Sequence, residues 1–226
     1  ILYMKILVFD TETTGLPEKN ASIYDIDKWP YIVQLSYVLY DTETNHSIIK
    51  DNYIKIDNTV VISERSYEIH NLSHELLRTR GINIVDAIKD FNIMLKLCDI
   101  AVAHNVSFDK RMIFVECFRN KLSPCFTWFI GNKCIKKHEY CTMRKSTQLC
   151  NIVHINKNGS SYIKSPTLTE LYQHVFPGAI LPSNLHNSII DVLITLQCYF
   201  KLVYNKNILS MNNDIAAYFT KNVNSV

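Results

Sequence analysis

Two carboxylates stand at the end of an apolar run near the start of the chain. Asp10 and Glu12 follow the apolar residues 6–9, and a turn sequence comes directly after them. Side chains two positions apart in an extended segment project to the same side, so the two carboxylates lie next to each other on one face. Their charges repel unless protons or cations neutralise them. Because clustered oxygen ligands suit Mg²⁺ or Mn²⁺ better than zinc, the pair is a candidate metal site.

Three more candidate residues lie far along the chain, at two places where predicted elements meet. In the segment AHNVSFD (103–109) a predicted strand ends and a predicted helix begins, with Asp109 in the first helical turn. The segment LHNSIID opens the last long helix, with Asp191 in its first turn and His186 on the loop before it. Each has a structural explanation, because acids are favoured at helix starts and Ser188 has capping-box spacing to Asp191. Four carboxylates and one histidine, all at predicted element ends, favour a shared active site.

The elements that must position these residues follow an α/β order. A buried strand is predicted over 5–10, a hairpin over 31–40 and 47–56, and a short strand over 100–103. Helical spacing of apolar residues predicts helices over 84–97, 108–118, 167–175 and 187–204. This order predicts a mixed sheet with helices against it.

The chain is expected to form one domain over 1–205, followed by a tail. No repeat or linker divides 1–205, and residues 120–165 are predicted to be its least regular part. The Asn-rich residues 206–226 are expected to be a loosely held C-terminal tail.

Charge is distributed unevenly along the sequence. The formal net charge is only +3, yet residues 109–165 contain eleven Lys or Arg against three acidic residues. A basic segment on a nearly neutral protein is compatible with nucleic-acid binding, although a solvated surface would have the same composition.

Cysteines and apolar segments indicate the surroundings of the protein. Seven scattered cysteines, an odd number, predict free thiols in a reducing compartment, cytoplasmic or nuclear. The Cys and His residues of 134–154 lack a C-x₂-C knuckle, so structural zinc is not expected.

The apolar segment Ser188–Tyr204 is short for a membrane span and contains Asp191, which favours a buried helix over a membrane contact. Abundant Lys, Asn and Ile suggest an AT-rich genome, such as that of a large DNA virus or a low-GC microbe.

The three motifs resemble those of the DnaQ-like exonuclease family, the DEDDh class of the RNase H-like superfamily. DTETTG at 10–15 matches the first motif, HNVSFD at 104–109 the second, and His186-x₄-Asp191 the third. Their order and separations also agree, and the resemblance covers roughly residues 4–203. It implies an RNase H-like mixed five-stranded sheet flanked by helices.

The resemblance also implies an activity, that of a 3′-5′ exonuclease releasing nucleoside 5′-monophosphates. Two Mg²⁺ or Mn²⁺ ions would activate a water and stabilise the leaving oxygen. Their implied ligands are the four carboxylates: Asp10, Glu12, Asp109 and Asp191. His186 would be the general base, because an unperturbed histidine titrates near working pH. The expected substrate is nucleic acid with a free 3′ end, with DNA (single strands or frayed ends) favoured over RNA.

Four further residues are predicted to bind the substrate. Thr13 and Asn105 are expected to contact the terminal nucleotide, and Leu16 to wedge against a base. His70 lies in a segment similar to one that often reads His-Gly-Ile near the substrate in the family, with Asn71 here in place of the glycine.

Two other functions are open from the sequence alone. The same carboxylates would cleave RNA, since only contact with the 2′-hydroxyl or its exclusion separates the two polymers. A 3′-5′ exoribonuclease is therefore the nearest alternative. A more distant one is an inactive nucleic-acid-binding scaffold, against which the intact set of five residues argues. Candidate roles are proofreading, DNA repair and RNA turnover, and the candidate protein partner is a polymerase or a replication or repair complex.

Overall fold

A mixed five-stranded sheet forms the centre of the fold, in a computed structural model that describes residues 3–124, 126–182 and 185–223. The strands are β1 (Lys5–Thr13), β2 (Ile32–Asp41), β3 (Ser47–Tyr53), β4 (Ile100–Ala103), β5 (Thr127–Ile130), β6 (Lys133–Lys136), β7 (His138–Cys141), β8 (Ile152–Ile155) and β9 (Ser161–Lys164). The sheet order is β3-β2-β1-β4-β7. β1 pairs antiparallel with β2 and parallel with β4. The predicted mixed sheet is thereby confirmed.

Helices cover both faces of this sheet. They are α1 (Glu64–His70), α2 (His74–Arg80), α3 (Ile84–Leu97), α4 (Val106–Arg119), α5 (Thr142–Cys150), α6 (Leu168–Val175), α7 (Ser188–Tyr204) and α8 (Asn213–Val223). Leu7 and Phe9 belong to the core cluster that contains α3 and α4, whereas Ile6 and Val8 belong to the cluster around α7. β1 reads as a continuous apolar run because both of its faces are buried.

The alternation along β1 also determines where its polar residues point. Side chains alternate between the two faces of a strand, so the even positions of β1 face α7 and the odd positions face α4. Asp10 and Glu12 therefore lie on the α7 side, and Thr11 lies on the α4 side.

The segment 120–165 is more regular than expected. It contains the hairpins β5–β6 and β8–β9, the edge strand β7 and the helix α5. Each of these strands has four residues, too few for a period-two pattern to stand out from the surrounding polar sequence. Helices α1 and α2 are likewise absent from the sequence-based prediction, since each has only seven residues.

The C-terminal segment also differs from expectation over its described part. The tail contains a 3-10 turn at Ile208–Ser210 and the helix α8. Ile208 and Ile215 are fully buried in the cluster around α7. Asn212 donates a hydrogen bond to the carbonyl of Asn45 (2.6 Å), which ties the tail to the β2–β3 turn.

Among the described residues, the cysteines form no disulfide. Cys125 lies outside the described residues. Over those residues, none of the helices has both the length and the apolar character needed to cross a membrane.

Candidate active site

Three carboxylates converge at one end of β1. Asp10 and Glu12 come from β1 and Asp191 from the first turn of α7, with one oxygen of each lying within 4.8 Å of the others. The start of α7 is held against β1 by Ser188, whose Oγ donates a hydrogen bond to the carbonyl of Asp10 (2.8 Å). This hydrogen bond joins residues 178 positions apart, so the two sequence motifs form one acidic site.

The fourth predicted carboxylate, Asp109, approaches from the opposite face. It is buried in the first turn of α4, and its Oδ1 accepts hydrogen bonds from the Thr11 backbone N–H (3.0 Å) and from Thr11 Oγ1 (2.8 Å). Asp109 repels Glu12 electrostatically but is not part of the three-carboxylate group. The structure therefore brings Asp10, Glu12 and Asp191 together and holds Asp109 beside them through Thr11.

The electrostatics of the site favour a bound cation. Burial raises the pKa of all four carboxyl groups. Mutual repulsion raises the pKa values of Glu12, Asp109 and Asp191 further. Oδ1 of Asp191 is buried and has no hydrogen-bond partner within the described part of the chain. Such an oxygen is costly unless something binds it, and a divalent cation that prefers oxygen ligands fits the donor set.

His186 lies at the entrance to α7. Its backbone is left-handed (φ 65°), and its backbone N–H lowers the pKa of the Asp191 carboxyl group. Its side chain is exposed. A non-glycine residue is strained in this conformation and keeps it only where its surroundings demand it. The backbone of His186 is thus tied to the acidic site while the imidazole is left accessible.

A cleft of about 530 Å³ opens beside Glu12. Its lining includes the apolar side chains of Leu16, Ile69 and Phe108. Leu16 is 79% exposed, so it is free to contact a ligand in the cleft, as the predicted wedge requires.

The other predicted substrate residues have different surroundings. Thr13 Oγ1 donates a hydrogen bond to the carbonyl of Gly15 (2.7 Å) and shapes the turn. His70 uses both ring nitrogens, since Nδ1 accepts from Leu72 N–H (3.0 Å) and Nε2 lies 3.2 Å from the Thr13 carbonyl. Burial lowers the pKa of His70, which favours the neutral form of its ring. Asn105 is exposed at the start of α4, in a left-handed conformation (φ 73°).

Sequence reasoning missed two residues that hold the site together. Thr11 lies inside the first motif, and its position between two acids is the signal in the sequence that could identify it. His104 joins the end of β4 to Thr142 Oγ1 (3.0 Å) and to the Pro166 carbonyl (3.1 Å). Burial lowers the pKa of His104 to about 4, so its role is structural.

The fold is similar to solved structures of exonuclease I. The Escherichia coli enzyme in complex with a dT13 oligonucleotide has a TM-score of 0.63 and 17% identity, covering 87% of this chain and 41% of that chain. The same enzyme with dA16 has a TM-score of 0.64 and 17% identity, covering 95% and 42%. An apo exonuclease I has a TM-score of 0.64 and 16% identity, covering 95% and 44%. At these identities the likeness shows the fold alone, and this chain spans about two fifths of their length.

Fold and motifs together place the chain in the RNase H-like superfamily. The chain belongs to the exonuclease family RNase_T, within the DnaQ-like group, because the family's model matches residues 7–199. A search of curated proteins finds no match.

Proposed function

We propose that this protein is a 3′-5′ exonuclease that removes nucleotides from DNA as nucleoside 5′-monophosphates. The observation that carries the proposal is the acidic site beside an open cleft: three converging carboxylates, one with an unpartnered buried oxygen. The E. coli exonuclease I structures with dT13 and dA16 share this fold, which favours DNA as the polymer here.

Asp10, Glu12 and Asp191 would hold divalent cations, Mg²⁺ or Mn²⁺, with Asp109 supporting the second ion. Bound there, two ions would supply an activated water and neutralise charge on the leaving oxygen. The imidazole of His186 would take the proton from the attacking water, since it is exposed and anchored next to Asp191. Leu16 and Phe108 would hold the terminal nucleotide between apolar walls, so that its 5′ phosphodiester lies over the carboxylates.

The test offers 5′-labelled and 3′-labelled single-stranded DNA, duplex DNA and RNA, each with Mg²⁺ or Mn²⁺. We expect 3′-labelled single-stranded DNA to release labelled mononucleotide at once, and 5′-labelled DNA to shorten as a ladder. Asp10→Ala is the control and should release nothing above background. Faster release from RNA would make the protein an exoribonuclease, and cleavage of internal bonds or no release from any polymer would overturn the proposal.

A further inference from the structure

One glutamine is fully buried in the second strand of the sheet. Gln34 lies on β2, has 0% exposure, and pairs in register with Glu12 on β1. Its flanking residues Val33 and Leu35 are also fully buried. Leaving a buried amide unpaired costs about 1–3 kcal/mol, so Gln34 needs hydrogen-bond partners at this position.

The amide of Gln34 finds partners on both its donor and its acceptor sides. Nε2 donates to Oδ1 of Asp51 on β3 (2.7 Å) and to Oδ1 of Asn187 (3.0 Å). Oε1 accepts from the backbone N–H of Ser188 (3.2 Å). Two of the three bonds therefore run from the middle of the sheet to the first residues of α7, more than 150 positions along the chain.

Those first residues of α7 carry the third motif. Asn187 caps the helix by accepting from Ile189 N–H (3.3 Å), and Ser188 Oγ binds the carbonyl of Asp10 (2.8 Å). His186 stands directly before them and Asp191 one turn after them. β1 and β2 thus both hold the start of α7, through Asp10 and through Gln34.

We infer that Gln34 is a positioning residue for this site. It acts through Asn187 and Ser188, fixing where α7 begins and so where Asp191 and His186 stand relative to Asp10 and Glu12. Asp51 holds the glutamine amide in the orientation this requires, and Ser36 Oγ in turn donates to Asp51 (2.8 Å). The inference rests on the proposed function for its effect on catalysis, and it also predicts an effect on cation binding that is measured without substrate.

The first test replaces the amide with an apolar side chain of similar length, Gln34→Met. Loss of residues that orient metal ligands costs about 10–100-fold in metal affinity or activity, and we expect Gln34→Met to lose that much of both kcat and Mn²⁺ affinity. The KM should change by less than the kcat, since the cleft walls are untouched. Mn²⁺ binding is measured by calorimetry on the protein without nucleic acid.

The matched control is Gln197→Met on α7. Gln197 is also buried, and it binds Tyr172 and the Leu193 carbonyl, away from the acidic site. Its replacement is expected to lower the melting temperature while leaving kcat and Mn²⁺ affinity at wild-type values. A general loss of core packing would affect both variants alike, whereas a positioning role affects only Gln34→Met.

The second test is a rescue. Gln34→Glu sets a carboxylate against Asp51 and should be as impaired as Gln34→Met. Adding Asp51→Asn restores a donor that faces an acceptor on β3, but the carboxylate still faces Oδ1 of Asn187, so the double variant should regain only part of the lost kcat and Mn²⁺ affinity. If Gln34→Met does not fold, comparing Gln34→Glu with the double variant still tests whether Gln34 positions the site.

The outcomes separate the inference from the proposed function. A wild-type protein inactive on every polymer overturns the function, and the Mn²⁺ comparison still reports on Gln34. An active wild type with Gln34→Met equal to it in kcat and Mn²⁺ affinity overturns the inference. A double variant restored fully to wild-type kcat and Mn²⁺ affinity also overturns it, because that variant still lacks the hydrogen bond to Asn187.

Discussion

The imidazole of His186 and the carboxylate of Asp191 have different relations to the acidic site. Asp191 has an oxygen within 4.8 Å of oxygens of Asp10 and Glu12, whereas the backbone N–H of His186 lowers the pKa of Asp191. We expect His186→Ala to lower kcat by about 10²–10⁴, the usual range for a general base, with little change in melting temperature. His174→Ala, an exposed histidine on α6, is the control. Near-normal turnover in His186→Ala would remove this residue as the base.

Thr11 provides a second test at the level of single residues. Its hydroxyl and backbone N–H both lower the pKa of Asp109, against the burial that raises it. Thr11→Val removes only the hydroxyl, so the pKa of Asp109 rises and the ionised form needs a higher pH. The acid limb of the kcat/KM profile should therefore move to higher pH in Thr11→Val. Thr11→Ser keeps the hydroxyl and should leave the limb in place; an equal shift in both variants would contradict this account.

At the scale of elements, the central strands and long helices follow directly from the sequence. β1 is a continuous apolar run because two helical layers cover it, and α7 is an apolar run because it is buried on almost every side. The three motifs were therefore placed at the right element ends. The contacts between them could not be predicted, because they depend on packing between distant segments. Nothing local to Gln34 indicates that its partners are Asp51, Asn187 and Ser188, and nothing local to Asp109 indicates that its carboxylate binds Thr11.

The helix α8 gives a prediction at the same scale. Because Ile215 is fully buried, Ile215→Ala removes side-chain contacts and leaves a cavity in the cluster around α7. We expect the free energy of unfolding to fall by about 2–5 kcal/mol, as for other buried isoleucines. Ile180→Ala is the matched control, since Ile180 is 93% exposed and should change stability by less than about 0.5 kcal/mol. Urea unfolding measures the free energy of unfolding of both variants. A loss of less than about 0.5 kcal/mol in Ile215→Ala would mean that α8 is only loosely held.

At the scale of the whole molecule, several basic residues of the segment 109–165 bind acidic groups or carbonyls of the protein itself. Its internally bound members are Lys110, Arg119, Lys137 and Lys164. Arg144 is among those left exposed, on α5, whose first residue Thr142 binds His104 of the second motif. If Arg144 contacts a phosphate, Arg144→Ala should weaken single-stranded DNA binding and reduce the salt slope of log K by about 0.7. Arg78→Ala on α2 is the control. An unchanged salt slope in Arg144→Ala would mean that the bound DNA does not contact Arg144.

The acidic site also couples the stability of the whole protein to pH and to cations. Its carboxyl groups have raised pKa values, so between their ordinary and raised values the native state binds more protons than the unfolded state. Stability of the metal-free protein must then fall as pH rises. We expect a lower melting temperature at pH 8.5 than at pH 7, a window above the titration of unfolded histidines, which would act in the opposite sense.

A saturating cation should reverse this trend, because ionised carboxylates are the form that binds it. Mg²⁺ at about 100 times its dissociation constant would add about 2.7 kcal/mol to the free energy of unfolding. Glu12→Gln isolates the site from other groups, including buried thiols such as Cys98 whose raised pKa acts in the same direction. The variant should lose part of the slope between pH 7 and 8.5 and much of the stabilisation by Mg²⁺. An equal dependence of stability on pH in wild type and Glu12→Gln would mean that groups outside the acidic site cause it. An equal response of both proteins to Mg²⁺ would mean that the carboxylates are not a cation site.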